Sequence, residues 1–301
     1  MTDLIAQIRK VLPGFVLDRI RKEKKRKRRR ALSRQREQGN ALNEQVLEDG
    51  LRKMGIGDGD SLMVHCRLSS LGFVEGGPGG LYRALRNILG PNGHLLMPSS
   101  PVKKLQLDFA REQRAVDLRS IPSAMGALSE YMRGCPGVLR STHPTEAVLA
   151  AGPKAEWLVS GHSSAAAPYA ADSPFRRMME FSGKILYLGV TLDNAGTHLH
   201  TLEDEVAFPY PVYTKESFSF RVTDLKGTTS EMRTKVHDPQ WSRKRKCDEL
   251  IPLFEEKGVL TRHRLGESEC LLLDASQMFQ TMVQAFEERG VTMYHPKGRP
   301  S

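Results

Sequence analysis

Four short apolar runs, separated by stretches of helical spacing, set the fold class of this chain. Ser61-Leu62-Met63-Val64-His65, Gly93-His94-Leu95-Leu96-Met97-Pro98, Val148-Leu149-Ala150-Ala151 and Ile185-Leu186-Tyr187-Leu188-Gly189-Val190 read as buried strands. Between them lie helical patterns over about 41–54 (Leu42, Val46, Leu47, Leu51, Met54), 80–89, 123–134 and 154–160. The first ends in the turn-rich Gly55-Ile56-Gly57-Asp58-Gly59-Asp60. This βαβ rhythm implies a parallel sheet with right-handed crossovers. From Tyr210 to Arg233 the pattern becomes alternating, as in Ser217-Phe218-Ser219-Phe220-Arg221-Val222, with a turn at Asp224-Leu225-Lys226-Gly227. A last strand at 270–273 and a helix at 275–289 follow. The expected fold is therefore α/β: a mixed, mostly parallel sheet flanked by helices, with an inserted antiparallel hairpin.

The net charge of +10 over 301 residues hints at nucleic acid until it is mapped. Residues 1–38 hold 14 Lys/Arg against 4 Asp/Glu, which leaves 31 of each sign in residues 39–301. Residues 39–301 are thus neutral, and the expected globular domain, 39–296, carries no basic excess, which argues against a nucleic-acid footprint on the fold. In the tail, apolar residues at helical spacing (Leu4, Ile5, Ile8, Val11, Leu12, Phe15, Val16, Ile20) precede a block, Arg19–Arg30, with 10 basic residues. That composition suits an anionic membrane surface. A solvated tail docking on the domain, or an import or RNA-binding arm, fits it too. No apolar run approaches the ~20 residues needed to span a bilayer, and the four cysteines (Cys66, Cys135, Cys247, Cys270) form no CxxC pair. Both point to a reducing cytoplasm, with peripheral membrane contact through the tail.

The strongest chemical cluster, Asp193-Asn194-Ala195-Gly196-Thr197-His198-Leu199-His200-Thr201-Leu202-Glu203, follows the clearest strand, where ligands gather in parallel sheets. A helix starting at Thr197 would put His200 and Glu203 on one face, so that the carboxylate holds the imidazole as a general base. Alternatively Glu203 is a surface acid and His200 packs. His198-x-His200 also admits zinc, although on a helix the two side chains diverge by about 200°. A second cluster, His65-Cys66-Arg67-Leu68-Ser69-Ser70-Leu71-Gly72, offers hydroxyls and amides able to hold a phosphate or pantetheine arm. It matches neither GxGxxG nor a P-loop, and no GxSxG elbow is present. A third group, Arg140-Ser141-Thr142-His143-Pro144, reads first as structural.

In order along the chain, several of these pieces resemble the aminoglycoside 3-N-acetyltransferase (antibiotic NAT) family, whose fold is distinct from the GNAT acetyltransferases. They are Val64-His65 through Gly72, Leu95-Leu96-Met97-Pro98, Met125-Gly126-Ala127 with Glu130, Pro136-Gly137-Val138-Leu139-Arg140-Ser141-Thr142-His143-Pro144, Ala150-Ala151-Gly152, Ser173-Pro174, and Thr197-x-Leu199-His200-x-x-Glu203. The resemblance covers about 42–290. It implies direct acetyl transfer from acetyl-CoA to an amine of an aminoglycoside or amino sugar, with no metal. His200 would be the base, oriented by Glu203 and Asp193. His65, Arg67, Ser69, Ser70, Leu71, Gly72, Arg140, Ser141 and His143 would form the CoA side of the site. The chain departs from the family where His65-Cys66-Arg67 replaces a His-Ser-Ser run, so that Arg67 either binds a CoA phosphate or obstructs the cleft. That departure keeps a second expectation open, a non-catalytic scaffold at a membrane; a metal-dependent hydrolase is the third.

Overall fold

The computed structural model describes residues 41–163 and 167–295, with isolated helical positions at 16, 19, 22, 23, 26 and 27. The proposed tail boundary near residue 38, and most of the basic block, lie outside the described residues. Among those described, no helix is long and apolar enough to cross a membrane.

Among the described residues, ten strands form two sheets: β1 (Ser61–Cys66), β2 (His94–Pro98), β3 (Ala115–Asp117), β4 (Leu139–Arg140), β5 (Val148–Ala151), β6 (Lys184–Leu188), β7 (Phe218–Thr223), β8 (Thr229–Thr234), β9 (Leu260–Leu265) and β10 (Ser268–Asp274). The large sheet has the order β4-β5-β2-β1-β6-β10-β9. Its centre, β2-β1-β6, is parallel, whereas every flanking pair is antiparallel. Most strands point the same way, but most pairings are antiparallel. The expected mostly parallel sheet thus holds for direction and, in hydrogen bonding, only for the centre. The expected hairpin is present as β7-β8, shorter than predicted, and β3 joins it as a third, parallel strand. Asp224 builds the turn, its Oδ1 accepting from the N–H groups of Lys226 and Thr228 at 2.9 and 2.8 Å.

Central strands read as continuous apolar runs because both faces are covered. Leu62, Val64, Leu95, Met97, Leu186 and Leu188 face a core closed by α1 (Glu44–Lys53) and α2 (Gly77–Leu89). Met63, Leu96, Ile185 and Tyr187 face the opposite core, closed by α5 (Ala275–Arg289). Two short helices between these lie next to the site: α3 (Ala127–Arg133) and α4 (Thr201–Glu205).

The C-terminal ends of β1, β2 and β6 therefore converge, and the loops leaving them shape a common cleft. Arg67 N–H donates to Leu188 O at 2.9 Å, so the chain leaving β1 stays clamped to β6. Directly after β6, Gly189 has φ 65°, and a Cβ there would sit 2.6 Å from Ser70 Cβ. Only glycine fits both the left-handed backbone and that close approach. Gly189→Ala is expected to destabilise the domain by roughly 1–3 kcal/mol, read as a drop in Tm of several degrees; an unchanged Tm would show that the loop is not packed this way.

Candidate functional site

Thr197–His200 forms a single 3₁₀ turn that runs directly into α4. This places His200 and Glu203 one turn apart, as the sequence spacing requires. His200 Nδ1 lies 2.7 Å from Glu203 Oε1. The carboxylate has two further partners far off in the chain: His237 Nε2 reaches Oε2 at 2.8 Å, and the Tyr294 hydroxyl donates to Oε1 at 2.5 Å. The Glu203 side chain is fully buried. Burial alone would push its carboxyl up, but the two imidazoles outweigh that and hold it well below the usual range. Burial pushes His200 down, against the pull of Glu203, and pushes His237 down to about 3. The consistent assignment is an ionised Glu203 accepting from two neutral imidazoles and a phenol. His200 then carries its proton on Nδ1, which leaves Nε2 as the basic atom.

Tyr169 and the ring of His237 close over this floor, 5.0 and 4.5 Å from the His200 ring. Asp204, next to Glu203, accepts from Tyr213 and from the Tyr169 N–H, so Tyr169 is anchored from the same short helix. Neither His237, Tyr294 nor Tyr169 was among the candidates from sequence. They lie 34 to 91 positions from Glu203, and no local pattern links them to it. The one available signal is that His237 stands just before Asp238-Pro239, a helix start with Asp238 as N-cap.

His200 and His237 line a cavity of about 320 Å³ together with Lys104, Gln106, Glu146, Tyr169, Asp193 and Arg245. A larger one of about 740 Å³ opens beside it, lined by His65, Cys66, Arg67, Ser69, Gly72, Gly77, Gly126 and Ala127 among others. The two share Met125, Asn194, Ala195 and Thr197 as a common wall. Exposed Arg67 is the one charged side chain among the described residues of the larger cavity, and it lines the cavity without filling it. His65 stacks on Tyr187 at 4.9 Å, and burial pushes it down to about 3, so it is neutral.

Other expected positions fall elsewhere. Leu71 is fully buried in the core, and neither it nor Ser70 lines the cavity; their carbonyls accept from Glu267 N–H and Ser268 Oγ. Arg140, expected beside CoA, is buried and donates to three carbonyls, of Leu118, Ile121 and Ser99, at 2.6–3.1 Å. Ser141 bonds His162 at 2.8 Å, and His143 bonds Thr234 at 3.1 Å while accepting from Glu146 N–H at 3.0 Å. These three are internal braces, because buried polar atoms must find partners. Asp193 lines the smaller cavity but does not hold His200: its Oδ1 accepts from Asp248 N–H at 3.1 Å, and Asp248 Oδ1 accepts from Asp193 N–H at 3.0 Å. Of the two acids expected beside His200, Glu203 is the one hydrogen-bonded to it.

The zinc pairing of His198 with His200 does not form. His198 turns to Met178 Sδ at 3.0 Å and packs edge-on against Phe175, while His200 faces Glu203. His200, Glu203 and His237 do bring three ligand-type atoms within 4.8 Å of one another. At 2.7 and 2.8 Å, however, those atoms are hydrogen-bonded to each other, and Tyr294 holds the carboxylate as well.

Residues 63–287 match the model of the aminoglycoside 3-N-acetyltransferase family, which is most of the described chain. The chain therefore belongs to the aminoglycoside 3-N-acetyltransferase family. It is 34% identical over 166 residues to aminoglycoside N(3)-acetyltransferase VII of Streptomyces paromomycinus, a stretch covering 51% of this chain and 57% of that one. The match thus spans little more than half the length of that relative. Among solved structures, aminoglycoside acetyltransferase AAC(3)-IVa superposes with a TM-score of 0.70 at 27% identity, over 85% of this chain and 92% of that one. AAC-IIIb, in a binary complex with CoASH, shares the fold with a TM-score of 0.70 at 24% identity, over 87% and 99% of the two chains.

Several buried imidazoles set a pH limit on stability. His65, His162 and His237 have folded-state values of about 3, 4 and 3, below the 6.5 of an unfolded histidine. Above pH 6.5 neither state is protonated; below it only the unfolded chain takes up the proton, so stability falls towards pH 4. Each should cost on the order of 1 kcal/mol between pH 7.5 and 5.5. Urea midpoints at the two pH values test this, and equal midpoints would contradict the burial assigned to these rings.

Proposed function

We propose that this protein is an acetyl-CoA-dependent N-acetyltransferase acting on an amine of an amino sugar or aminoglycoside, with His200 as general base. The observation that carries the reading is a neutral imidazole locked by a buried carboxylate, beside a cavity that shares a wall with a larger one. The larger cavity suits the donor: it is the only one of the two with the volume for a CoA arm, Arg67 supplies a cation for phosphate at its mouth, and a relative of the same fold binds CoASH. The smaller receives the acceptor.

In the transfer step, Nε2 of His200 removes a proton from the acceptor nitrogen as that nitrogen attacks the thioester carbonyl. The new C–N bond forms, the C–S bond breaks, and CoA leaves as the thiolate, to be protonated. Glu203 balances the imidazolium as it forms, and His237 and Tyr294 keep the carboxylate from swinging away. The backbone N–H groups at 126–127, at the start of α3 on the wall of the larger cavity, are the candidate donors for the developing oxyanion. The basic segment 1–38 holds this enzyme against an anionic membrane face, on which acceptors of glycan type are made.

His200→Ala is expected to lower kcat by roughly 10²–10⁴ while CoA still raises Tm as in the wild type. Near-normal kcat would remove His200 from the role, and failure of CoA to stabilise the wild type at millimolar concentration would favour a non-catalytic scaffold. Deleting residues 1–38 should release the protein from vesicles containing anionic lipid without changing kcat; unaltered vesicle binding would end the membrane assignment.

A further inference from the structure

Arg245 and Tyr294 face each other across a short antiparallel pairing, in which Lys246 N–H donates to Met293 O at 2.8 Å and His295 N–H to Lys244 O at 3.0 Å. Opposite residues in such a pair send their side chains to the same face, and here that face is turned to the buried acid. Arg245 Nε donates to the Tyr294 hydroxyl at 3.2 Å, and the hydroxyl donates to Glu203 Oε1 at 2.5 Å. That same oxygen lies 2.7 Å from His200 Nδ1. A relay of side chains therefore runs from Arg245 through Tyr294 and Glu203 to the imidazole.

A guanidinium is costly in this place. Its Nη2 is buried and has no hydrogen-bond partner, which is unfavourable for a charged donor. Arg140 is buried too, but its guanidinium ends on three carbonyls and braces loops. Arg245 instead directs Nε to a hydroxyl whose other bond is to the orienting acid.

Charge gives a second reason. Burial works against the charge of Arg245, but Tyr294 and Glu203 outweigh it, so the group stays a cation. It also draws Glu146 down against the stronger push of burial, which takes that acid up to about 7. Burial is the main influence that pushes His200 down; Glu203 opposes it, and Arg245 adds to it. Other titratable groups surround the ring: His237 and Tyr169 against it, and Glu146, Asp193, Lys104 and Cys247 on the cavity wall. Behind Glu203 lies Asp204, bonded to Tyr213. The cation among them that acts on His200 is Arg245.

Resting on the transferase reading above, we infer that Arg245 is a positioning residue: through the Tyr294 hydroxyl it holds the edge of Glu203 that faces His200, and its charge keeps the imidazole in the free-base form able to take the acceptor's proton. The same charge opposes the imidazolium formed during transfer. The ring is thus a weaker base but an available one at neutral pH.

The test follows the His200 ring by NMR from pH 8.5 to 5, in full-length protein carrying ring-labelled histidine, with His200→Ala to assign the signal. Arg245→Gln and Tyr294→Phe should each raise the pH at which the ring protonates by about 0.5–1 unit. The first removes an opposing charge, and the second leaves Glu203 freer to attract the proton. Arg245→Lys, which keeps the charge, should move it less than Arg245→Gln does. The acid limb of kcat/KM, measured with acetyl-CoA and gentamicin, should move upward with the ring, leaving most of the activity at pH 8.5. A ring that protonates in Arg245→Gln and Tyr294→Phe as it does in the wild type, or that stays neutral in all of them, overturns the inference. So does a loss of activity that is uniform across pH, the mark of a merely structural role. Should Arg245→Gln fail to fold, the ring titration in Tyr294→Phe decides alone. That titration needs no turnover, so absence of acetyl transfer would sink the transferase reading while the effect of Arg245 on the ring is still measured.

Discussion

A single carboxylate, removed from water and given three hydrogen-bond donors, organises the site. An ionised acid buried alone would be severely destabilising, and removing one partner of such a cluster typically costs about 3–5 kcal/mol. Glu203 escapes that penalty only because the 197–200 turn, the segment after β8 and the segment after α5 all meet at it, through His200, His237 and Tyr294. The demand for satisfaction works in both directions. The donors stabilise the charge, and the charge fixes three stretches of chain separated by up to 91 residues. The reactive ring thus inherits its orientation from the long-range fold as much as from its own helix.

The sheet supplies the rest by topology. Three parallel strands end on one side, so the loops from β1, β2 and β6 must diverge there, and the cleft occupies the space between them. Antiparallel flanks widen the sheet without adding further parallel crossovers. The close passage at Gly189 draws the 67–70 loop against the chain leaving β6, which keeps Arg67 at the cavity and Ser70 away from it.

What could be read in the sequence follows from how local each signal is. Strands β1, β2, β5 and β6 announced themselves because burial on both faces produces unbroken apolar runs. β9 did not, since Thr261, Arg262, His263 and Arg264 fill its middle on a half-covered edge, and the three-residue β3 is too short to show a period. The pairing of His200 with Glu203 was legible from a spacing of three. His237 and Tyr294 were not, because tertiary contacts leave no local pattern. Arg140, Ser141 and His143 misled for the opposite reason. A polar residue bracing the interior and one facing a ligand look alike in one dimension, and only burial with satisfied partners separates them.

The partition made by Met125 and the 194–197 segment belongs to both cavities. Any molecule that settles on one side presses on a surface its neighbour must also use. If that shifts the partition, occupancy of the two compartments is thermodynamically linked, and linkage is symmetrical: whatever factor the first guest imposes on the second, the second imposes on the first.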